Sequence, residues 1–417
     1  MDSVNKHFPQ PVRGAEALVL GANVVFDALP EAQVEAQATL LQTHQTAVIR
    51  QDFRWSEIEP VKGQFNWARS DAIFAQANRH SLRVLAVLLT SPAWARPPSG
   101  TNPLSQTETT APQYVEDFAR FARAFANRYD GTAASATQQR QSPIVGYQIW
   151  DEPNLSIGWG NNLIDPAGYL RLLWASGDAI RAMNPYARIV LAGLAPTVEM
   201  SEVNLAPSAF LRQLYRLGGH DAFDVVATKP YGFNFPALDR RVDPAILNFS
   251  NILLLREEMV AHGEQDKAIW ATEFGWNALP SGWRGEPSIW GEVSEAQQAV
   301  WTREAVIRAA REWPWLGALF IDTLTPRPRQ PHSDVDPAWG FGMLTQSGET
   351  RPVFEAFVSA QQDAQHSTRG QLAAVCDLPT RLVKVIDNLN LQPQNKRAAL
   401  DTLPDIETCY VPNPQAT

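Results

Sequence analysis

The chain of 417 residues is long enough for two or three average domains, or for one (β/α)8 barrel of roughly 250 residues or more, so length alone leaves the domain count open. A formal net charge of −9 argues against a nucleic-acid partner, because phosphate binding requires clustered Lys and Arg. The longest apolar stretches, such as residues 82–89, are far shorter than the roughly 18 residues of a membrane-spanning helix.

Aromatic residues make up 10% of the chain and include fourteen Trp. Flat rings stack well on the apolar faces of sugars, although most Trp side chains in any protein pack in its core. With 45% hydrophobic residues, the composition suits a large buried core and a neutral or weakly charged substrate.

The two cysteines, Cys376 and Cys409, both lie near the C-terminus. One pair after a cysteine-free region predicts a disulfide that closes a C-terminal loop, and hence an oxidising, extracytoplasmic or secreted location. Two unpaired buried thiols are the alternative, and they leave a cytoplasmic location open. Residues 1–10 lack the apolar core of a signal peptide.

Short apolar, β-branched runs alternate with longer amphipathic stretches along the chain, a pattern typical of parallel strands joined by helices. In chain order the predicted strands are residues 17–25, 47–53, 83–89, 144–150, 188–193, 224–228, 268–272 and 317–322. The predicted helices are residues 31–43, 67–80, 112–129, 166–183, 207–217, 250–262, 294–313 and 352–361. In the clearest of them, 112–129, apolar residues recur at helical spacing and Pro112 suits the first turn.

Eight strands that alternate with eight helices favour a closed α/β architecture, the (β/α)8 TIM barrel. An open doubly wound sheet usually has five or six strands and a nucleotide loop, and no GxGxxG or GxxxxGK follows the first strand. We therefore predict a catalytic barrel over residues 14–361. Residues 362–417 form a short C-terminal appendage with one apolar helical pattern at 378–389.

Polar residues at the carboxyl ends of barrel strands are the candidates for catalysis. Glu152 follows the fourth predicted strand and Glu273 follows the seventh, and Trp residues flank both. A charged side chain directly after an apolar strand is costly unless it is paired or functional. Two carboxyl groups facing one cleft suit glycoside hydrolysis, which needs one acid and one nucleophile or base.

The sequence resembles a clan of retaining glycoside hydrolases with (β/α)8 barrels. The clan pattern W-N-E-P-N corresponds to residues 150–154 and T-E-F-G-W to residues 272–276. Residues 50–55 and 59–67 resemble the strand-two region, and residues 340–342 through 351–352 resemble the closing segment. Within the clan the likeness is to family 39, which includes β-xylosidases, α-L-iduronidases and endo-acting enzymes on bacterial exopolysaccharides.

The resemblance implies that Glu152 is the acid/base and Glu273 the nucleophile, with Arg50 and Tyr231 beside the nucleophile. Arg50 would keep Glu273 ionised, or would only form a structural ion pair under the barrel mouth. The mechanism implied is a double displacement on an oligo- or polysaccharide, with carboxyl groups about 5 to 5.5 Å apart and no cofactor or metal. The scattered histidines have no ligand spacing.

Two positions depart from the clan pattern in charge. Asp151 replaces the asparagine that contacts the sugar 2-hydroxyl, and Lys229 replaces a frequent histidine after the sixth strand. The two can form an internal pair that leaves the mechanism intact. Alternatively they read a charged substrate, with Asp151 accepting from an amino group at C2 or Lys229 binding a uronic-acid carboxylate. A third outcome is a disabled hydrolase, a non-catalytic carbohydrate-binding barrel.

A third departure lies at the eighth strand, where Phe320-Ile321-Asp322-Thr323 stands in place of a clan Trp. Trp339 in the next loop is a candidate replacement as a sugar platform. Trp94 and Trp276, together with Trp283 and Trp290, are further stacking candidates. An unrelated barrel enzyme with a Schiff-base lysine would have Lys229 as its only candidate. The sugar, the anomer, the linkage and the oligomeric state stay open.

Overall fold

The computed structural model describes residues 9–98, 106–130, 143–327, 335–373 and 392, and eight parallel strands within them close into one barrel in sequence order. The strands are β1 (Val19–Val24), β2 (Val48–Arg54), β3 (Arg83–Leu89), β4 (Ile144–Ile149), β5 (Ile189–Val190), β6 (Val225–Thr228), β7 (Ala268–Phe274) and β8 (Leu316–Ile321). β1 pairs with β8, with Gly21 opposite Phe320, which completes the ring.

Within the described residues, eight helices of ten or more residues connect or follow the strands. They are α1 (Glu31–Thr43), α2 (Ala68–Arg79), α3 (Val115–Tyr129), α4 (Pro166–Arg181), α5 (Pro207–Arg216), α6 (Ile252–Ala261), α7 (Glu295–Glu312) and α8 (Pro352–Gln365). A single helical turn, Trp55–Ile58, follows β2. The predicted (β/α)8 barrel is therefore confirmed, and no described helix has the length and apolar character to cross a membrane.

The strands are buried on both faces, which explains why they read as continuous apolar runs rather than alternating ones. Their outer faces pack against the helices in the main core, and a second cluster that includes Leu85, Trp270 and Phe320 fills the barrel interior. A Cβ at position 21 would lie 2.6 Å from the Phe320 ring, so a residue larger than Gly21 would clash with it. A glycine in β1 thus makes room for a large interior ring.

Most predicted boundaries differ from the observed ones by one to four residues, and two of the differences have a clear structural reason or consequence. The fifth predicted strand, 188–193, is regular only at Ile189–Val190, because isolated bridges from Gly193 and Leu194 replace the ladder beyond it. Pro112 lies outside α3, which begins at Val115. The irregular end of β5 borders the site described below.

The described chain continues past the predicted barrel boundary at residue 361. Helix α8 ends at Gln365, and Arg369 then donates hydrogen bonds to backbone oxygens of Trp313 and Leu316. Residues 366–373 are thus attached to the barrel. The predicted appendage helix 378–389, and Cys376 and Cys409 with their predicted disulfide, lie outside the described residues, so these remain predictions.

A buried ion cluster joins α7 to the segment between β6 and α6. Glu312 accepts from both Arg240 and Arg308, and the Arg308 side chain is fully buried. We expect Glu312→Gln to lower the free energy of unfolding by about 3 kcal/mol, because two buried cations lose their counter-charge. Urea denaturation measures this, with the exposed Glu355→Gln as the control. Equal midpoints for the two variants would contradict the assignment.

Candidate active site

Glu152 and Glu273 approach each other at the carboxyl ends of β4 and β7. Lys229 Nζ lies 2.7 Å from Glu152 Oε1 and 2.9 Å from Glu273 Oε1. These two Oε1 atoms are therefore no farther apart than about 5.6 Å, the sum of those two lengths, a proximity that suits the closely spaced carboxyl groups of retaining enzymes. One ammonium group holds both predicted catalytic carboxyl groups.

The Lys229 side chain is 3% exposed and follows β6. Its third carboxylate contact is Asp151 Oδ2 at 2.8 Å. The ammonium group donates hydrogen bonds to Asp151 and Glu152 and lies in ion-pair contact with Glu273. Three carboxylates of the protein already surround Lys229, so the geometry favours an internal role over the predicted uronic-acid contact. Lys229 is also a charged, hydrogen-bonded amine, unlike the neutral amine that Schiff-base formation requires.

Arg50, on β2, lies under the same carboxyl groups. It donates to Glu273 Oε1 at 2.8 Å and to Asp151 Oδ1 at 3.0 Å. Its remaining contacts are Asn23 Oδ1 at 2.8 Å and Gln148 Oε1 at 3.1 Å, which fix the guanidinium plane. Two buried cations therefore face the nucleophile candidate.

Both carboxylate oxygens of Asp151 are occupied by cations. Arg50 and Gln148 donate to Oδ1, and Lys229 donates to Oδ2. Burial by itself would raise the pKa of Asp151, but Lys229 and then Arg50 outweigh it and hold the pKa below its usual range. Asp151 is thus an ionised member of an internal pair, which is the first of the alternatives for this position.

Burial raises the pKa of Glu152 above its usual value, and the neighbouring Asp151 and Glu273 charges add to this rise while Lys229 opposes it. The Glu152 side chain is 30% exposed, against 13% for Glu273. A carboxyl group with a raised pKa that reaches the solvent is suited to act as an acid. The assignment of Glu152 as acid/base and Glu273 as nucleophile stays a prediction, and these surroundings are compatible with it.

Tyr231 lies beside the nucleophile candidate as predicted. Its hydroxyl oxygen is 2.6 Å from Glu273 Oε2 and 2.7 Å from Asp322 Oδ2. Glu273 therefore has Arg50 and Lys229 on one oxygen and Tyr231 on the other. Asp322, which directly follows β8, belongs to the same network.

The backbone around β4 and β5 makes this arrangement possible. A Cβ on Gly193 would lie 2.7 Å from Thr272 Oγ1, 3.0 Å from Asp151 Oδ1 and 3.1 Å from Lys229 Cε. Glycine at the irregular end of β5 thus leaves the space in which Asp151 and Lys229 meet. Glu152 has a φ of 51°, an uncommon left-handed conformation for a glutamate and one that often occurs at functional sites.

Not every predicted stacking ring is available to a sugar. Trp276 was predicted wrongly: it is 1% exposed and donates its indole N–H to Phe235 O, so it is a core residue. Trp94 packs on Trp55, and Lys62 Nζ lies 5.1 Å from its ring centroid, so a cation occupies the face that a sugar would need.

Other aromatic residues lie closer to the carboxyl network. The Phe341 ring packs 5.1 Å from the ring of Tyr231, and Trp290 lies edge-on to Phe341 at 5.5 Å. Trp339 precedes Phe341 by two residues and is partly exposed. The role of Trp339 as a sugar platform stays a prediction. Trp290 is also partly exposed, and its position suits the same role equally well.

Four residues that contact or shape this network of carboxyl groups and cations were not predicted from the sequence. Asn23 and Gln148 are polar residues inside apolar strands, a signal that could have marked them, because an inward-facing polar side chain in a barrel strand needs a partner. Gly193 and the role of Asp322 depend on contacts between distant strands. The described residues contain no group of three or more His, Cys, Asp or Glu arranged for a metal ion.

No protein-family model and no curated protein matches the sequence, whereas many solved structures match the fold. A family 39 glycoside hydrolase from Bacteroides cellulosilyticus WH2 aligns with TM-score 0.59 and 18% identity, covering 85% of this chain and 65% of that chain. A monomeric beta-xylosidase from Caulobacter crescentus CB15 gives 0.57 and 17%, with 86% and 70% covered.

A GH5_18 protein from Streptomyces cattleya, solved in complex with GlcNAc, aligns with TM-score 0.61 and 16% identity, covering 85% of this chain and 82% of that chain. The chain spans less than two thirds of the first of these structures. At such identities the likeness establishes the fold, while activity has to be argued from the site. The chain thus shares its (β/α)8 barrel with glycoside hydrolases of families 39 and 5.

Proposed function

We propose that this protein is a retaining glycoside hydrolase that cleaves O-glycosidic bonds of an oligo- or polysaccharide by double displacement. The observation that carries the proposal is the contact of one buried ammonium group, Lys229, with both Glu152 and Glu273. This contact keeps one oxygen of each carboxyl group within about 5.6 Å of the other, which favours the close spacing of retaining enzymes over the wider spacing of inverting ones. The sequence motifs around both residues and the fold of the similar structures support it.

In the first step Glu152 protonates the departing glycosidic oxygen while Glu273 attacks the anomeric carbon and forms a glycosyl ester. In the second step Glu152 removes a proton from water, and the hydroxide formed displaces Glu273 from the anomeric carbon. Arg50 and Tyr231 donate hydrogen bonds to the two oxygens of Glu273 and so orient the carboxylate before the attack.

Lys229 has an electrostatic part in both steps. The first step removes the negative charge of Glu273, which becomes an ester, and creates one on Glu152, which has lost its proton. Because Lys229 contacts both groups, its positive charge remains next to a carboxylate before and after the transfer. A preorganised charge of this kind stabilises the transition state without reorganisation.

The alternative of a non-catalytic carbohydrate-binding barrel rested on the extra negative charge of Asp151. The ion pairs of Asp151 with Lys229 and Arg50 compensate that charge, so they support an intact mechanism.

Polysaccharide degradation and secretion are part of the proposal. The secretion part rests on the two cysteines of the sequence, and non-reducing against reducing mass analysis of the full chain tests their disulfide.

The stereochemical course of hydrolysis tests the proposal. The substrate is the aryl glycoside or oligosaccharide that the native protein cleaves fastest. We expect the first product to have the same anomeric configuration as this substrate. Proton NMR during the first minutes, before mutarotation, measures this. Release of the opposite anomer would contradict the assigned role of Glu273. Saccharide binding without turnover in a broad panel would favour the non-catalytic alternative.

A further inference from the structure

Asp322 is a carboxyl group in the site to which the proposed mechanism gives no task. It is partly exposed, and its Oδ2 lies 2.7 Å from the Tyr231 hydroxyl. Among the described residues its other oxygen, Oδ1, has no hydrogen-bond partner. Asp322 therefore reaches the neighbourhood of the nucleophile and keeps one oxygen free for a ligand.

A proton count at Tyr231 defines the resting state of Asp322. The hydroxyl has one hydrogen, yet Glu273 and Asp322 both lie within 2.7 Å of its oxygen. One hydrogen can serve only one of the two, so both short contacts are satisfied when one of the carboxyl groups carries a proton. Arg50 and Lys229 contact Glu273 and not Asp322, so the proton belongs on Asp322, which then donates to the tyrosine oxygen. In the empty site Asp322 is then a neutral acid.

The charges that face Asp322 agree with this count. Burial first, and then the charge of Glu273 on β7, raise the pKa of Asp322 to about 7, although Tyr231, Lys229 and Arg50 lower it. Arg50 and Lys229 already balance Asp151 and Glu273, while Glu152 must be protonated to act as the acid. An ionised Asp322 would therefore leave one uncompensated negative charge in the site.

A positively charged group on the sugar would supply the missing charge. Asp322 lies within two hydrogen-bond lengths of Glu273, through Tyr231, and the nucleophile lies about 3 to 3.5 Å from the anomeric carbon in a reactive complex. The ring substituent nearest to the anomeric carbon is the one on C2. Asp151 cannot take this part, because cations already occupy both of its oxygens.

We infer that Asp322 determines specificity by pairing with the ammonium group of a 2-amino sugar, so that the preferred substrate of the site carries a free amine. The inference rests on the proposed function for the placement of the sugar. On binding, Asp322 releases its proton to solvent, and its carboxylate then pairs with the ammonium group. No other bond changes in this step.

Binding of monosaccharides tests the inference without assuming a linkage, an anomer or a sugar configuration. The probes are three matched pairs: glucosamine and glucose, galactosamine and galactose, and mannosamine and mannose. At pH 6, where Asp322 is mostly protonated, we expect at least one amino sugar to bind about 10- to 100-fold more tightly than its partner, as one charge-assisted hydrogen bond provides. Calorimetry in two buffers should show release of up to one proton per sugar.

Two variants of the full chain separate this role from a structural one. Asp322→Asn matches the neutral acid in shape, so it should abolish both the difference in affinity within each pair and the proton release. Asp52→Asn is the control, because Asp52 is also a carboxyl group of elevated pKa near Arg50 but forms no hydrogen bond with Tyr231 or Glu273. It should keep the preference.

Equal affinity within all three pairs, or an amino preference that persists in Asp322→Asn, would overturn the inference. Hydrolysis of the same sugars as aryl glycosides is measured in parallel. Absence of turnover together with an Asp322-dependent preference would refute the proposed hydrolase and leave the inference standing. Turnover without any amino preference would support the proposed hydrolase and overturn the inference about Asp322.

Discussion

Replacement of Glu273 by alanine is expected to lower kcat by a factor on the order of 10⁴ to 10⁶, the range in which loss of a catalytic nucleophile falls. The carboxylate accepts from Arg50 and Tyr231 and lies in ion-pair contact with Lys229, so its removal takes away the proposed nucleophile that these groups hold in place. Steady-state hydrolysis of the best aryl glycoside measures the effect. Added azide should restore turnover, because a small anion fills the vacated space, and the glycosyl azide should have inverted configuration.

Glu152→Ala is the matched comparison, since Glu152 contacts the same ammonium group. Without its acid the variant should lose activity on poor leaving groups and keep most of the first step on activated aryl groups. Azide should then give a product of retained configuration. If both variants showed the same response to leaving group and azide, the assignment of acid and nucleophile would be wrong. Unchanged Tm values would show that the fold is intact.

Lys229→Met is expected to reduce kcat/KM by about 10²- to 10³-fold, the usual effect of losing one preorganised electrostatic contact. The side chain is buried and is shared by Asp151, Glu152 and Glu273, which would then repel one another. Lys229 lowers the pKa values of Asp151 and Glu152, so its removal raises them. The pH profile of kcat/KM should therefore move to higher pH. Lys62→Met, at an exposed lysine, serves as the control.

The double variant Asp151→Asn with Lys229→His restores the residue pair of the clan pattern and removes both unusual charges together. Each single substitution changes the net charge of the site by one, whereas the double substitution leaves the net charge unchanged. We therefore expect its activity to exceed that of either single variant, which is a non-additive result. Additive losses, or a pH profile that does not move in Lys229→Met, would show that the lysine is a packing element only.

The sequence by itself determined the fold and the two central residues. Strands buried on both faces give continuous apolar runs, so eight runs separated by helical patterns predicted the (β/α)8 barrel, and β3 and α1 were predicted to the residue. Glu152 and Glu273 were found because a charge directly after an apolar strand stands out. The motifs that resemble the clan also pointed to Arg50 and Tyr231, which the structure brings to Glu273.

The contacts between side chains of different strands depend on the tertiary structure and could not be predicted from the strand pattern of the sequence. Closure of the barrel brings Lys229 after β6 to Asp151 after β4 and Asp322 after β8 to Tyr231, and strand periodicity contains no information on these cross-barrel contacts. Burial likewise separates a core ring such as Trp276 from an accessible one, although both follow strand ends in the sequence. Local pattern determines where a residue lies along a strand, but its partner, its exposure and its charge state depend on the strands that close around it.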